Sequence, residues 1–140
     1  MMRRLAWISI LVLLLSPLSI RSANEPAKAA PRTEMTTYYV GLLYRGPEWT
    51  AEETPEVRRI QEGHMANIRH LAETGKLLLA GPFSDDGNLR GMFVFKVDSL
   101  EEAKALSDAD PAVKAGRLVV ELHPWYAAKG IRVDTAPPRP

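Results

Sequence analysis

The chain has 140 residues, 46% hydrophobic and 25% charged, a composition typical of one globular domain rather than of a disordered protein. Its formal net charge is +1, but Arg3, Arg4 and Arg21 lie in the first 23 positions, and the remainder carries 15 basic against 17 acidic residues, a net charge of −2. That balance argues against nucleic acid as a partner, and the absence of cysteine excludes disulfides, a thiol nucleophile and lipid attachment through cysteine.

The N-terminal segment has the pattern of an export signal. A basic head, Met1–Arg4, precedes the apolar run Leu5–Leu15, and Ser16-Pro17 then interrupts a helix. The apolar segment is shorter than the roughly 20 residues that a membrane-spanning helix needs. We therefore predict that residues 1–23 are a signal peptide and that the protein is exported, periplasmic or secreted; the alternative is an uncleaved N-terminal anchor. Residues 24–34, rich in Ala and Pro, predict a linker.

A strand and a long amphipathic helix open the predicted domain. Thr36–Tyr44 is rich in β-branched and aromatic residues, which predicts a first strand. Thr54 followed by Pro55 and Glu56 predicts a helix start, because threonine caps the helix, proline suits its first turn and the acid complements its dipole. One helical stripe follows and ends near Gly75; its members are Val57, Ile60, His64, Ile68 and Leu71.

Three further strands and a second helix complete the prediction. The apolar runs that predict strands are Leu77–Ala80, Gly91–Val97 and Leu118–His123. The turn residues Asp85–Asn88 separate the first two of these runs, and a capping box beginning at Ser99 opens a helix that ends near Asp108. We expect Pro124–Tyr126 to close the last strand and residues 128–140 to form a disordered tail.

The order strand, helix, strand, strand, helix, strand is the ferredoxin-like split βαβ plan, βαββαβ. It predicts an α+β fold in which a four-stranded antiparallel sheet carries both helices on one face. The strands are nevertheless apolar on both faces, since Phe93 and Phe95 alternate with Met92 and Val94. Because two helices cover only one face, we expect the other face to pack against a second copy of the chain in a homodimer.

His64 and Asp110 are the candidate catalytic residues. His64 stands on the inward stripe of the first helix, and Asp110 follows the second helix. An unpaired buried polar group costs about 1–3 kcal/mol, so a buried imidazole needs a polar partner. If the two meet, the carboxylate orients the ring and stabilises its charged form, as a general base requires. The alternatives are a structural histidine at a helix–sheet junction and an Asp-Pro turn in which the carboxylate binds the backbone.

Four other residues are candidates for substrate binding. Ser84 and Asp86 lie in the predicted turn, Arg90 could hold an anionic substrate, and His123 ends the fourth strand. Turn chemistry explains Asp86 equally well, and a solvated side chain explains Arg90. The three histidines lack H-x-x-x-H spacing and the glycines form no phosphate-binding motif, so we expect neither a metal site nor a cofactor.

Residues from about Thr37 to Tyr126 resemble the YciI-like (YCII-related) domain, a small module of the dimeric α+β barrel class. The matching segments are YYVGLLY, His64 in H-x-x-x-[IL]-x-x-L, GKLLLAGP, SLEEAKAL, the run from Asp110 to Gly116, and HPW. The resemblance implies a domain over residues 35–127 and a His–Asp pair in a cleft near the dimer interface. Some members of that family act on small cyclic or aromatic compounds, including a dehydrochlorinase, and many have no assigned substrate.

Two functions follow from these expectations. In the first, the protein is an exported small-molecule enzyme that needs no cofactor, in which His64 transfers a proton and Asp110 orients it. Elimination or isomerisation of a small cyclic or aromatic compound suits such a pair. The alternative is a non-catalytic homodimeric module whose cleft binds a small apolar or aromatic ligand.

Overall fold

Four strands and three helices make up the part of the chain that the computed structural model describes, residues 32–133. Their bounds are β1 Met35–Arg45, α1 Pro55–Glu73, β2 Leu77–Pro82, β3 Leu89–Phe95, α2 Leu100–Asp108, α3 Pro111–Lys114 and β4 Leu118–Ala128. The predicted signal peptide, residues 24–31 of the predicted linker and residues 134–140 of the predicted tail lie outside the described residues.

The strands form one antiparallel sheet in the order β2-β3-β1-β4. β1 lies at its centre and pairs with β4 along its whole length, from Met35 opposite Ala128 to Arg45 opposite Leu118. The three helices contribute Leu71, Ala103 and Ala112 to a single core on one face of this sheet. The predicted α+β, ferredoxin-like βαββαβ fold is confirmed.

Both predicted helix starts are capped by side chains. The Thr54 hydroxyl accepts a hydrogen bond from the Val57 N–H at 3.1 Å, and the Ser99 hydroxyl accepts one from the Glu102 N–H at 3.1 Å. These bonds satisfy N–H groups that have no partner within the helix. The Glu102 carboxylate turns to the Lys76 ammonium, so the predicted capping box is one-sided and the acid ties α2 to the start of β2.

The two faces of the sheet bury separate apolar clusters. The cluster under the helices contains Leu43, Leu71, Leu77, Phe93, Phe95 and Leu118. The cluster on the opposite face, which we call the open face, is smaller: Tyr38, Val94 and Ala127 are buried there, with Ile131 packed against them. By strand alternation Val119 and Trp125 also lie on the open face, and they remain 48% and 44% exposed. Residues 32–133 therefore cover only part of this face.

The C-terminal end of the domain differs from the prediction in two respects. β4 does not end at His123 but continues through Pro124 to Ala128. The proline is accommodated because β4 is an edge strand, in which one side needs no ladder hydrogen bonds. The predicted tail also begins too early, since the Lys129 N–H donates to the Glu34 carbonyl at 2.8 Å and holds the two ends of the domain together.

Candidate functional site

His64 and Asp110 meet across 46 residues of sequence. His64 Nδ1 lies 2.9 Å from Asp110 Oδ1 and 3.0 Å from Oδ2, so one ring nitrogen binds both carboxylate oxygens. The His64 side chain is 10% exposed and the Asp110 side chain is fully buried. Phe93, on the sheet below, stacks against the imidazole with the ring centroids 5.9 Å apart. The predicted stripe of α1 does turn His64 inward, and the ring is held between a carboxylate and an aromatic side chain.

Asp110 is positioned by its place between two helices. α2 ends at Asp108, and Asp110 is the N-cap of the four-residue helix α3, where its Oδ1 accepts a hydrogen bond from the Ala112 N–H at 2.9 Å. The Asn67 side-chain amide donates to Oδ2 at 2.8 Å. The carboxylate thus makes the Asp-Pro backbone contact and the histidine contact together, which the sequence had left as alternatives.

The electrostatics of the pair determine which nitrogen of the His64 ring carries the hydrogen. Burial by itself raises the pKa of the Asp110 carboxyl, but the hydrogen bond and charge of His64, with the donors from Asn67 and Ala112, outweigh it, and the pKa lies below its ordinary value. An ionised carboxylate only accepts hydrogen bonds, so the hydrogen must sit on His64 Nδ1. Nε2 is then free to accept or release a proton.

A cavity of about 290 Å³ opens beside His64, between α1 and the sheet. This volume is at the lower end of the roughly 300–1,000 Å³ of small-molecule sites. Its walls are mainly apolar, formed by Leu43, Ile68, Phe93 and Leu118 among others, and its polar lining includes His64, Gln61 and Arg90. A mostly apolar cleft with a few polar groups suits a small organic ligand.

Trp49, in the loop between β1 and α1, forms one wall of the cavity and is held there by two glycines. The Gly46 N–H donates to the Arg117 carbonyl at 2.9 Å, and the Trp49 N–H donates to the Gly46 carbonyl at 3.1 Å. A Cβ on Gly46 would lie 2.2 Å from the Gly116 carbonyl oxygen, so only glycine allows this approach. The loop is therefore fixed against the turn that precedes β4.

The structure separates the four predicted substrate-binding residues. Arg90 lines the cavity, whereas Ser84 and Asp86 are exposed in the β2–β3 turn and His123 is exposed on β4, all three outside the cavity lining. His123 cannot reach the cavity because side chains alternate along a strand, which places it on the open face, where it pairs with Glu121 at 2.8 Å. His123 therefore lies on the face of the sheet opposite this cavity.

Two residues of the site were absent from the prediction. Asn67 lies three residues after His64, on the same face of α1, and that spacing was the signal that could have identified it. Trp49 lies in a loop, where no periodic pattern indicates the direction of a side chain. Within residues 32–133, no three His, Cys, Asp or Glu side chains are grouped so that they could hold a metal ion.

The chain is similar in sequence to proteins of one known domain family. The model of the YCII-related domain matches residues 37–126. The chain is 36% identical over 67 residues to the uncharacterized protein YjpA of Bacillus subtilis, a match covering 48% of this chain and 76% of YjpA. It is 37% identical over 65 residues to the protein YciI of Escherichia coli O6:H1 and of Shigella flexneri, covering 41% of this chain and 66% of theirs. The chain thus spans just under two thirds of the YciI proteins.

One solved structure is also similar in part. It is the 5-chloro-2-hydroxyhydroquinone dehydrochlorinase of Burkholderia phenoliruptrix in complex with 2,5-dihydroxybenzoquinone, with 20% sequence identity and a TM-score of 0.39. The match covers 61% of this chain and 92% of that one.

Proposed function

The chain belongs to the YCII-related domain family, and on that basis we propose that it is a small-molecule enzyme in which His64 transfers a proton and Asp110 orients it. One observation carries the proposal. A fully buried carboxylate binds Nδ1 of an imidazole that lines a cavity of small-molecule size. A histidine with a merely structural role has no need to line a cavity.

The chemistry follows from the ring's geometry. With the hydrogen on Nδ1 directed at Asp110, a neutral His64 offers the lone pair of Nε2 to a substrate proton. Abstraction of a proton beside a carbonyl leaves the electron pair on the substrate and an imidazolium whose charge the carboxylate stabilises. In an isomerisation Nε2 returns the proton to a different carbon. In an elimination the electron pair forms a double bond and the leaving group departs with its own bonding pair.

The second candidate is a binding module without catalysis. The apolar walls formed by Leu43, Ile68, Phe93 and Leu118 favour it, because they can hold an apolar or aromatic ligand without any proton transfer. In that case the His–Asp pair would serve to orient a polar group of the ligand.

We further propose that the protein is an exported homodimer. The exposed side chains of Val119 and Trp125, beside the partly buried Val40 and Met92, support pairing of two copies through the open face. The basic head and the run Leu5–Leu15 support export, and an uncleaved anchor remains the alternative. Among the described residues no helix is both long and apolar enough to cross a membrane.

Deuterium exchange distinguishes the enzyme from the non-catalytic binding module. The full chain is incubated in D2O with small cyclic ketones, lactones and hydroxylated aromatic compounds, and the loss of C–H signals is followed by NMR. We expect His64→Gln to slow enzymatic exchange by about 10²–10⁴-fold, the usual contribution of a general acid–base group. His70→Gln is the matched control, because His70 is an exposed histidine on the same helix.

Exchange that proceeds equally well in the His64→Gln protein would contradict the enzyme proposal. A compound that binds the cavity, as shown by shifts of cavity resonances, but exchanges no faster than in buffer would support the binding module.

A further inference from the structure

Three guanidinium groups surround the ring of Trp49. The Cζ atoms of Arg45, Arg90 and Arg117 lie 5.3, 5.4 and 5.1 Å from its centroid. They come from the end of β1, the start of β3 and the residue before β4, so the sheet register brings them to one place. The aromatic face stabilises nearby cations, but it does not neutralise their charge.

No carboxylate in residues 32–133 forms an ion pair with any of these three arginines. Their hydrogen bonds go to backbone carbonyls instead: Arg45 donates to Asp86, Arg90 donates to Asp85 and Gly87, and Arg117 donates to Thr50. The acidic side chains nearest in sequence, those of Glu48, Asp85 and Asp86, leave the charges unpaired. A concentrated positive charge therefore remains at one end of the cavity.

Two nitrogens of this cluster are buried without a hydrogen-bond partner, Arg90 Nε and Arg117 Nη1. They are the only such side-chain atoms among the residues that the structure describes. Leaving a buried donor nitrogen without an acceptor is costly, and functional sites are where proteins retain such a cost. Since Arg90 and Trp49 both line the cavity that contains His64, the unpaired charge borders the space a ligand would occupy.

We propose that this arginine cluster selects ligands that carry an anionic group, such as a carboxylate or an acidic enolate or phenolate oxygen. The anion binds at the Trp49 end of the cavity against Arg90, with Arg45 and Arg117 adding to the positive field. The remainder of the ligand then lies along the apolar wall towards His64. The inference names the substrate class of the proposed enzyme and rests on the same cavity.

A pair of nearly isosteric probes tests the charge requirement. Benzoate and benzamide are titrated into the ¹⁵N-labelled full chain, and the indole N–H resonance of Trp49 is followed after assignment with Trp49→Phe. We expect benzoate to bind about 10- to 100-fold more tightly than benzamide, because a hydrogen bond to a charged partner contributes about that factor. Equal affinities, or no shift of the Trp49 resonance with benzoate, would overturn the proposal.

Two arginine variants locate the effect. Arg90→Gln should weaken benzoate binding by at least about tenfold and leave benzamide binding unchanged. Arg69→Gln removes the same charge from an exposed position of α1 and should change benzoate binding less than about twofold, because exposed charges are screened by solvent. Benzoate binding that survives Arg90→Gln, or falls equally with Arg69→Gln, would refute the assignment.

The anion site and the catalytic proposal can fail separately. His64→Gln leaves the arginine cluster intact, so benzoate should still bind to it within about threefold of the unsubstituted chain, because the substitution leaves its ionic contacts with the arginines in place. Benzoate binding that requires Arg90 without deuterium exchange on any compound would support the anion site and refute catalysis. Exchange that is equally fast on anionic and neutral compounds, and that Arg90→Gln alters for neither, would support catalysis and refute the anion site.

Discussion

Replacing Asp110 by alanine should destabilise the protein more than a single buried aspartate ordinarily would, because three donors lose their acceptor. The Ala112 N–H loses its cap, which costs about 1 kcal/mol. His64 Nδ1 and the Asn67 amide lose a buried, charged acceptor. Where water replaces that acceptor for only one of these two donors, the other donor stays unsatisfied at a cost of about 1–3 kcal/mol. The sum, about 2–4 kcal/mol, overlaps the range of about 3–5 kcal/mol for breaking a buried pair.

Asp110→Asn separates the charge from the geometry. His64 and Ala112 both bind Oδ1, at 2.9 Å each, and an amide oxygen can take that place. The new amide nitrogen would face the Asn67 nitrogen, now 2.8 Å from Oδ2, but rotation of the Asn67 amide restores the hydrogen bond. The charge and the 3.0 Å contact of His64 Nδ1 with Oδ2 are then lost, so we expect a cost of about 1–2 kcal/mol.

Urea denaturation of the full chain at pH 7 measures both costs. Asp108→Ala is the control: its exposed carboxylate pairs with Lys104 on the helix surface, and such pairs contribute at most about 0.5 kcal/mol. An Asp110→Ala cost below about 1 kcal/mol, or equal costs for the alanine and asparagine variants, would refute the account of three shared donors.

The stability of the protein should also depend on pH, and the same variants measure that dependence. The pKa of the Asp110 carboxyl is lowered in the folded protein, so its ionised form contributes stability that is fully present above the ordinary aspartate pKa of about 4. That contribution is lost as the pH falls through the lowered value. The stability difference between the unsubstituted chain and Asp110→Asn should therefore shrink below about pH 4, and a difference that stays constant there would contradict the lowered pKa.

Three other outcomes follow from the structure and sequence. Gly46→Ala should lower the free energy of unfolding in urea by at least about 1–3 kcal/mol, because the new Cβ would lie 2.2 Å from the Gly116 carbonyl oxygen. Gly81→Ala is the control, since a Cβ there has no atom within 4 Å and brings no steric penalty. Equal costs for the two variants would contradict the close approach at Gly46. Trp125→Lys should convert the proposed dimer to a monomer in sedimentation, with an unchanged far-ultraviolet circular dichroism spectrum. An unsubstituted chain that already sediments as a monomer would contradict the proposed dimer. Cell fractionation should find the protein outside the cytosol, and a cytosolic chain that retains Leu5–Leu15 would contradict export.

Local patterns in the sequence were sufficient for the elements and their order. Helix starts depend on a few neighbouring residues, so Thr54 and Ser99 could be identified as caps before the fold was known. The 3.6-residue period of α1 likewise placed His64 on its buried face, since periodicity alone determines which side chains share a face. Strand alternation also indicated apolar side chains on both faces of the sheet.

The end of β4 could not be read in the same way. Pro124 looks like a strand terminator in isolation, and only its place on an edge strand makes it tolerable. Sequence identifies the residue but not its position in the sheet, because that position depends on pairing with β1, some 80 residues away. The same dependence explains why His123, a plausible cavity residue by its position near the strand's end, lies on the opposite face.

Sequence patterns alone identified the candidates for chemistry, an inward histidine on α1 and an aspartate after α2. Their contact was decided by the packing of α1 against α3, which brings Asp110 within 2.9 Å of His64 and adds Asn67 as a third member. The gathering of Arg45, Arg90 and Arg117 around Trp49 was decided by strand register in the same manner. Local propensity acts over a few neighbouring residues, whereas these contacts join segments separated by tens of residues, and only the folded backbone fixes such distances.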